Sequence, residues 1–315
     1  MPQPFFPLLR VGLLVLGSLL ALSTAAQRSS APPHIKRPAA TPLAPERVPM
    51  EVLPSGHLVV RATVNGVEGR FLLDTGAGLP VLTQAFIRRV RGLQPQDGRF
   101  TGFRAIGERI DVPLYTARTL AVGRLVTTGL SLGMYAGELG GFDGLLSLTV
   151  FRHQPFTLDY GRHALVLETA ASLAQRRQAG RAVALRLNDV YGQALDMAAY
   201  FRVNEKLTLL LVLDSGTPAG QYRLNAVFAP QLGIDTAGLG PANRITIPSE
   251  FSAIHRNVLY RAMLAKLAPV GQPGTELTQV PVGLMTGLIY DGILPLNWLG
   301  SQLTIDLPHQ VLLVH

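Results

Sequence analysis

The 315-residue sequence contains no cysteine, which excludes disulfide bonds, thiolate catalysis and cysteine-based zinc sites. Lysine is almost as scarce, because Lys36, Lys206 and Lys266 are the only lysines and arginine carries nearly all of the positive charge. Charged residues make up 15% of the chain against 48% hydrophobic residues, so material for a core is ample. The net charge of +8 is scattered and forms no basic stripe interleaved with aromatic residues, so we predict no nucleic-acid partner.

The apolar run Val11 to Leu22 is shorter than a bilayer-spanning helix requires. It follows Arg10 and precedes the small residues 23–26, a pattern that is typical of secretory signal peptides. We therefore expect residues 1–26 to be a signal peptide and the mature chain to be secreted or periplasmic, without a stable membrane span. Because the positive region before the run is thin, an uncleaved membrane tether is the alternative. Residues 27–49, rich in proline and alanine, are expected to form a linker.

Two apolar runs in the sequence each end in aspartate, a hydroxyl residue and glycine. The first reads FLLDTGAG over 71–78 and the second reads LVLDSGTP over 211–218. Such runs are typical of buried strands that break into tight turns. A carboxylate at that place is costly unless its surroundings satisfy it. The alternative to a functional role for Asp74 and Asp214 is that of turn or capping residues.

The similarity between the two halves extends beyond these turns. The further matched segments are Phe142–Leu148 with Tyr290–Leu296 and Thr157–Asp159 with Thr304–Asp306. The copies occur in the same order and are separated by 140 to 148 residues. Three matched motifs in one order indicate an internal duplication, and two copies predict two similar lobes that face each other. We expect the aspartates of these further segments to be structural.

This set of motifs resembles the retropepsin-like aspartyl proteases of bacteria, here as two copies fused in one chain, as in pepsin-like enzymes. The resemblance implies a mainly β, bilobal acid-protease fold with two pseudo-symmetric lobes and a few short helices. It places the first lobe over 50–168 and the second over 181–315, with an inter-lobe link over 169–180. It also implies a flap, the hairpin that covers the substrate, over Arg99 to Ile110.

The resemblance further implies an active site at the two turns. The residues concerned are the catalytic Asp74 and Asp214, with Thr75, Gly76, Ser215 and Gly216 beside them. In relatives, the hydroxyl after each aspartate bonds across to the opposite lobe, and the glycine amides donate to the carboxylates. Two facing carboxylates share one proton, so one can take a proton from water while the other polarises a scissile carbonyl. Gly78 and Pro218 depart from the family pattern beside the substrate groove.

The predicted function is therefore that of an exported aspartic endopeptidase, active as a monomer on a peptide or protein substrate without a cofactor or metal. The alternative is a non-catalytic peptide-binding or scaffold protein of the cell envelope with the same fold, because fold alone does not establish activity.

Local patterns predict several individual elements. Asn65-Gly66 indicates a tight hairpin whose second strand leads to Asp74. A short helix is expected within Pro80 to Arg91. The spacing of apolar residues over Phe251 to Leu267 is close to 3.6 and predicts a helix there. The stretch before it, Ile245 to Pro248, is a candidate for part of a second flap.

Overall fold

The computed structural model describes residues 44–248, 256–298 and 300–315. These residues are mainly β-strands, as predicted. The strands of the first half are β1 (Glu46–Val52), β2 (Leu58–Val64), β3 (Val67–Leu73), β4 (Val81–Thr83), β5 (Gln94–Phe103), β6 (Arg109–Val122), β7 (Leu125–Tyr135), β8 (Gly144–Leu146), β9 (Phe156–Asp159) and β10 (Ala164–Leu167).

The second half continues the same alternation of strands and tight turns. Its strands are β11 (Arg181–Ala184), β12 (Arg186–Val190), β13 (Ala194–Val203), β14 (Leu207–Leu213), β15 (Tyr222–Asn225), β16 (Arg244–Pro248), β17 (Arg256–Pro269), β18 (Leu277–Met285), β19 (Gly292–Leu294), β20 (Gln302–Asp306) and β21 (Val311–Val314). The α-helices are α1 (Gln84–Ile87), α2 (Ala170–Ala179) and α3 (Ala229–Leu232), and short 3-10 turns cover Leu148–Phe151, Ala226–Phe228, Pro241–Asn243, Leu296–Trp298 and Leu307–His309.

The predicted hairpin forms between β2 and β3. Asn65 and Gly66 both have positive φ angles, 48° and 83°, as the tightest hairpin turns require. The strand β3 lies between β2 and β8, and its side chains Phe71 and Leu73 are buried. This burial holds the end of β3 in place, and Asp74 follows directly.

The two halves repeat one pattern of strand pairing. In the first half β3 pairs in parallel with β8, with Phe71 opposite Gly144, and in the second half β14 pairs in parallel with β19, with Leu211 opposite Gly292. The next strands follow the same rule, since β4 pairs in parallel with β7 and β15 pairs in parallel with β18. The internal duplication read from the sequence therefore corresponds to two lobes of the same topology.

A sheet of terminal strands joins the lobes, in the order β11-β21-β20-β9-β10-β1. At its centre β9 of the first lobe pairs antiparallel with β20 of the second, and the hydroxyls of Thr157 and Thr304 lie 2.7 Å apart. The final strand β21 pairs with β20 and β11, both of the second lobe. Asp159 and Asp306 are buried in this sheet and form ion pairs with arginines, which is a structural role.

The predicted helix over Phe251 to Leu267 is wrong. Residues 256–267 lie in the long strand β17, while 251–255 lie outside the described residues. The strand pairs with β16 on one edge and with β18 on the other. Pairing on both edges satisfies the backbone and outweighs the helical spacing of the side chains. The segment also has a first-lobe counterpart, because β6 and β17 each span 14 residues.

Other elements differ from the expectations in extent. The first strand already begins at Glu46, inside the stretch 27–49 expected to be a linker, because residues 46–49 pair with β10. The helix expected within Pro80 to Arg91 is only the four-residue α1, which Thr83 caps. A helix, α2, lies within the link 169–180. The expected signal peptide and the linker up to residue 43 lie outside the described residues. In the part of the chain that the structure describes, no helix is long and apolar enough to cross a membrane.

Candidate active site

The two Asp-containing turns begin in the same way. Each aspartate donates its backbone N–H to the last carbonyl of the neighbouring parallel strand, Asp74 to Leu146 at 2.9 Å and Asp214 to Leu294 at 2.8 Å. The chain then turns back, and the amide of the residue three places on returns to the aspartate carbonyl in both turns. The same strand ends that terminate the buried runs therefore place both carboxylates at the interface of the lobes.

The carboxyl groups of Asp74 and Asp214 come close to each other at the lobe interface, each beside the glycine of the opposite turn. Burial raises the pKa of Asp74 well above its usual value, and the neighbouring charge and hydrogen bond of Asp214 raise it further. The backbone amides of Gly76 and Ala77, each 3.0 Å from Oδ1 of Asp74, act in the opposite direction. The site therefore favours a pair of carboxyls that carries one shared proton.

The glycines of the turns leave the space that this approach needs. A Cβ atom on Gly76 would lie 2.6 Å from Cγ of Asp214, and one on Gly216 would lie 2.7 Å from Cγ of Asp74. Either distance is far below a normal contact, so each glycine accommodates the carboxyl of the opposite lobe. The Gly216 amide also donates to Oδ1 of its own aspartate, Asp214, at 2.7 Å.

The hydroxyls of Thr75 and Ser215 cross between the lobes. Thr75 Oγ1 donates to the Leu213 carbonyl at 2.8 Å and accepts from the Ser215 amide at 3.0 Å. Ser215 Oγ donates to the Leu73 carbonyl at 2.7 Å and accepts from the Thr75 amide at 3.0 Å. Both side chains are buried. These four bonds tie the two turns together, so all six residues predicted for the site, Asp74, Thr75, Gly76, Asp214, Ser215 and Gly216, lie together in the structure.

The two carboxyls differ in one contact that sequence reasoning missed. Thr217 Oγ1 donates to Oδ2 of Asp214 at 2.8 Å, whereas the equivalent position in the first lobe is Ala77. Both oxygens of Asp214 therefore accept hydrogen bonds from their own turn, while only Oδ1 of Asp74 does. The different fourth residues in DTGA and DSGT are the sequence signal for this asymmetry.

Residues around the turns hold them in position. Asp143 Oδ2 accepts from the Arg70 amide at 2.9 Å, and Asp291 Oδ2 accepts from the Leu210 amide at 3.0 Å. These contacts are structural, as expected. His57 places its Nε2 atom 2.9 Å from the Gly216 carbonyl and so supports the second turn.

The predicted flap segment lies in the β5–β6 hairpin and reaches across to the second lobe. Its turn closes through a bond from the Arg104 amide to the Glu108 carbonyl at 2.8 Å. At the tip, the Ala105 carbonyl accepts from the Ile289 amide at 3.0 Å, and Ile106 packs on an apolar cluster of the second lobe. The candidate second flap forms the β16–β17 hairpin, whose tip lies outside the described residues.

Two grooves of about 400 Å³ lie in the second lobe. The first is lined by Asp196, Val212 and Tyr290, among others. Burial raises the pKa of Tyr290, and the charges of Asp196 and Asp214 raise it further, so this groove opens near the carboxyl pair. The second groove is lined by Arg223, Arg261 and apolar residues of β16 to β18.

Comparison with known proteins agrees with this geometry. Residues 60–150 match the model of a family described as aspartyl protease. By sequence, this part of the chain is therefore similar to aspartyl proteases. The resemblance predicted from the two motifs is therefore confirmed. A comparison with curated proteins found no match.

Solved structures of aspartic proteases and of one globulin are similar to this chain. A retropepsin-like aspartic protease from Rickettsia conorii has 19% identity and a TM-score of 0.29, with 39% of this chain and 88% of that one covered. Aspartic proteinase from Irpex lacteus has 13% identity and a TM-score of 0.49, and the match covers 86% of this chain and 97% of that one. Basic 7S globulin from soybean has 10% identity and a TM-score of 0.52, and the match covers 87% of this chain and 97% of that one. The last of these shows a shared fold, which confirms the predicted mainly β, bilobal architecture.

Proposed function

We propose that this chain is an aspartic endopeptidase that hydrolyses peptide bonds by means of a water held between Asp74 and Asp214. The observation that carries the proposal is the close pair of carboxyls, supported on each side by glycine amides and by the crossed hydroxyls of Thr75 and Ser215. Turn or capping residues would satisfy their own loops and would have no reason to meet a second carboxylate.

The asymmetry of the pair suggests which carboxyl holds the shared proton. Hydrogen bonds to both oxygens of Asp214 favour its ionised form, while Oδ2 of Asp74 accepts no bond from its own turn. In the proposed mechanism Asp214 takes a proton from the water as general base, and Asp74 donates a hydrogen bond to the scissile carbonyl. Collapse of the tetrahedral intermediate then returns a proton to the leaving amine, without a covalent intermediate.

The fold supports a peptide as the substrate and the monomer as the active form. An extended peptide would lie between the β5–β6 hairpin and the carboxyl pair, with side chains in the grooves of the second lobe. Since one chain supplies both Asp74 and Asp214, the site needs no second copy. The hairpin tip bonded to Ile289 would have to lift for entry.

The test is cleavage of an unbiased peptide library by the purified chain, with Asp74→Asn and Asp214→Asn as variants. Asparagine is nearly isosteric but cannot act as general base, so each variant should lose activity at least about a thousandfold while it stays folded. Asp235→Asn is the matched control, because Asp235 is exposed and accepts a bond from the Ala237 amide of its own loop. A peptide with a hydroxyl in place of the attacking water should inhibit the wild type. Equal cleavage by the wild type and both variants would show that the pair is not the catalyst.

The alternative function is that of a non-catalytic peptide-binding or scaffold protein of the cell envelope. One observation favours it, namely that a structure sharing this fold is named as a globulin and not as a proteinase. If the folded wild type cleaves no library peptide between about pH 2 and 8 but still binds peptides in its cleft, this alternative replaces the endopeptidase.

We also propose that the protein is exported, on the basis of the leader-like residues 1–26. Expression in a bacterial host followed by mass spectrometry of the mature amino terminus tests this point. Removal of the segment near Ala26 and recovery outside the cytoplasm are expected. An intact amino terminus in the soluble cytoplasmic fraction would contradict export, and an intact one in the membrane fraction would indicate an uncleaved tether.

A further inference from the structure

Three neighbouring strands of the second lobe place two arginines in one row. In the pairing of β15 with β18, Arg223 lies opposite Gly283, and in the pairing of β18 with β17, Gly283 lies opposite Arg261. Directly paired residues face the same side of a sheet, so both arginines stand on one face with the glycine between them. At two strand spacings, their Cα atoms are roughly 10 Å apart.

A groove of about 400 Å³ has both arginines and Gly283 among its lining residues. Its other walls are mostly apolar and include Tyr222, Ile247 and Leu259. Leu259 packs directly over Gly283, because a Cβ atom on Gly283 would lie 2.4 Å from Cδ1 of Leu259. The glycine therefore makes room for Leu259, which forms an apolar wall of the groove.

In the described part of the chain, no carboxylate contacts either arginine of this groove. Among the residues that the structure describes, neither Arg223 nor Arg261 takes part in an ion pair within 4.0 Å. Arg223 is partly buried and its Nη2 atom donates to Oε1 of Gln221 at 2.6 Å, which orients the guanidinium. A partly desolvated cation that no carboxylate contacts is unfavourable, so the site favours an anionic guest.

The groove lies beside the carboxyl pair. Burial lowers the pKa of Arg223, and the negative charge of Asp214 opposes that shift, which requires the two side chains to be near each other. The fold accounts for this proximity. The strand β15 that carries Arg223 pairs with β19, and β19 pairs with β14, whose end delivers Asp214. A side chain held in the groove would thus belong to a substrate residue close to the bond being cut.

We propose that the groove between Arg223 and Arg261 binds a carboxylate side chain, so that the enzyme prefers peptides with aspartate or glutamate near the scissile bond. This specificity rests on the proposed endopeptidase function. Planar guanidinium groups match a carboxylate with paired hydrogen bonds, and two of them on opposite walls can hold one acid between them. The apolar walls accommodate the methylene groups of that side chain.

The test compares peptides that differ only by glutamate or glutamine at each position near the cleavage site. We expect kcat/KM to favour glutamate by about tenfold at one position, the size of one charge-assisted hydrogen bond. Arg223→Gln and Arg261→Gln should each reduce this ratio toward one. Arg47→Gln is the matched control, since Arg47 is an exposed arginine on β1 and should leave the ratio unchanged. Arg261 is also exposed, so its variant should fold even if Arg223→Gln does not.

A pH series separates recognition of charge from a general effect on structure. The glutamate preference should decline as the pH falls through about 4.3, where the free glutamate side chain becomes neutral. Cleavage with no preference for glutamate over glutamine, or a preference that survives in both arginine variants, would overturn the proposal. If the wild type cuts no peptide at all, the endopeptidase function fails, and fluorescence binding of the same peptides still tests the groove. If the wild type binds the glutamate peptide more tightly than the glutamine peptide and Arg261→Gln does not, the groove proposal is supported. Equal binding of the two peptides by the wild type would refute the proposal.

Discussion

The crossed hydroxyls allow a quantitative prediction for Thr75→Val, which keeps the shape of the side chain and removes its hydroxyl. The change leaves the Ser215 amide and the Leu213 carbonyl without their bonds to Oγ1, at 3.0 and 2.8 Å. Thr75 has no exposed surface, so water cannot replace the lost partner. Each buried unsatisfied group costs about 1–3 kcal/mol, and the added methyl returns about 0.8 kcal/mol. For the two groups together, the free energy of unfolding should therefore fall by about 1–5 kcal/mol.

The assay is urea unfolding followed by circular dichroism. Ser215→Ala should cost a similar amount, because Ser215 Oγ also makes one bond to a carbonyl and one to an amide of the opposite lobe. Thr128→Val is the control, since Thr128 is exposed on β7 and should change stability by less than about 0.5 kcal/mol. If Thr75→Val and Thr128→Val prove equally mild, the four inter-lobe bonds do not contribute to stability as argued here.

Two further predictions concern the carboxyl pair. Because the pKa of Asp74 is raised in the folded state, this group binds more protons in the folded than in the unfolded chain above about pH 3.9. Its contribution to the free energy of unfolding should therefore fall by up to about 1.4 kcal/mol per pH unit until the folded pKa is passed. The Asp74→Asn variant lacks this loss, so its free energy of unfolding relative to the wild type should rise with pH. The measurement is urea unfolding of both proteins from pH 3 to 7. Parallel plots of stability against pH for the two proteins would contradict the raised pKa. Gly76→Ala should reduce peptidase activity at least about a hundredfold, because its Cβ would lie 2.6 Å from Cγ of Asp214 and force the carboxyls apart. The control is Gly240→Ala, which should keep full activity because nothing lies within 4 Å of the new Cβ atom. Equal activity of both variants would show that the close packing at Gly76 does not matter for catalysis.

Local sequence patterns were sufficient to predict the strands and turns that position the two carboxyls. The runs before Asp74 and Asp214 are apolar enough to be buried strands, and the residues after each aspartate turn the chain back. Because both copies have the same local pattern, the repeat predicted two lobes, and the lobes brought the two turns together. The Asn65-Gly66 hairpin followed from the φ angles that those two residue types tolerate.

Tertiary pairing decided the rest. Residues 256–267 have helical spacing of apolar residues but form a strand, because β16 and β18 form hydrogen bonds with the two edges of β17. The local sequence of this segment does not indicate which strands will pair with it. The bond between the Ala105 carbonyl and Ile289 depends on how the lobes approach each other. The row of Arg223, Gly283 and Arg261 comes from three strands that are separate in sequence and is fixed by their register alone. The sequence therefore determined which groups meet at the lobe interface, whereas long-range strand pairing determined which side chains surround them.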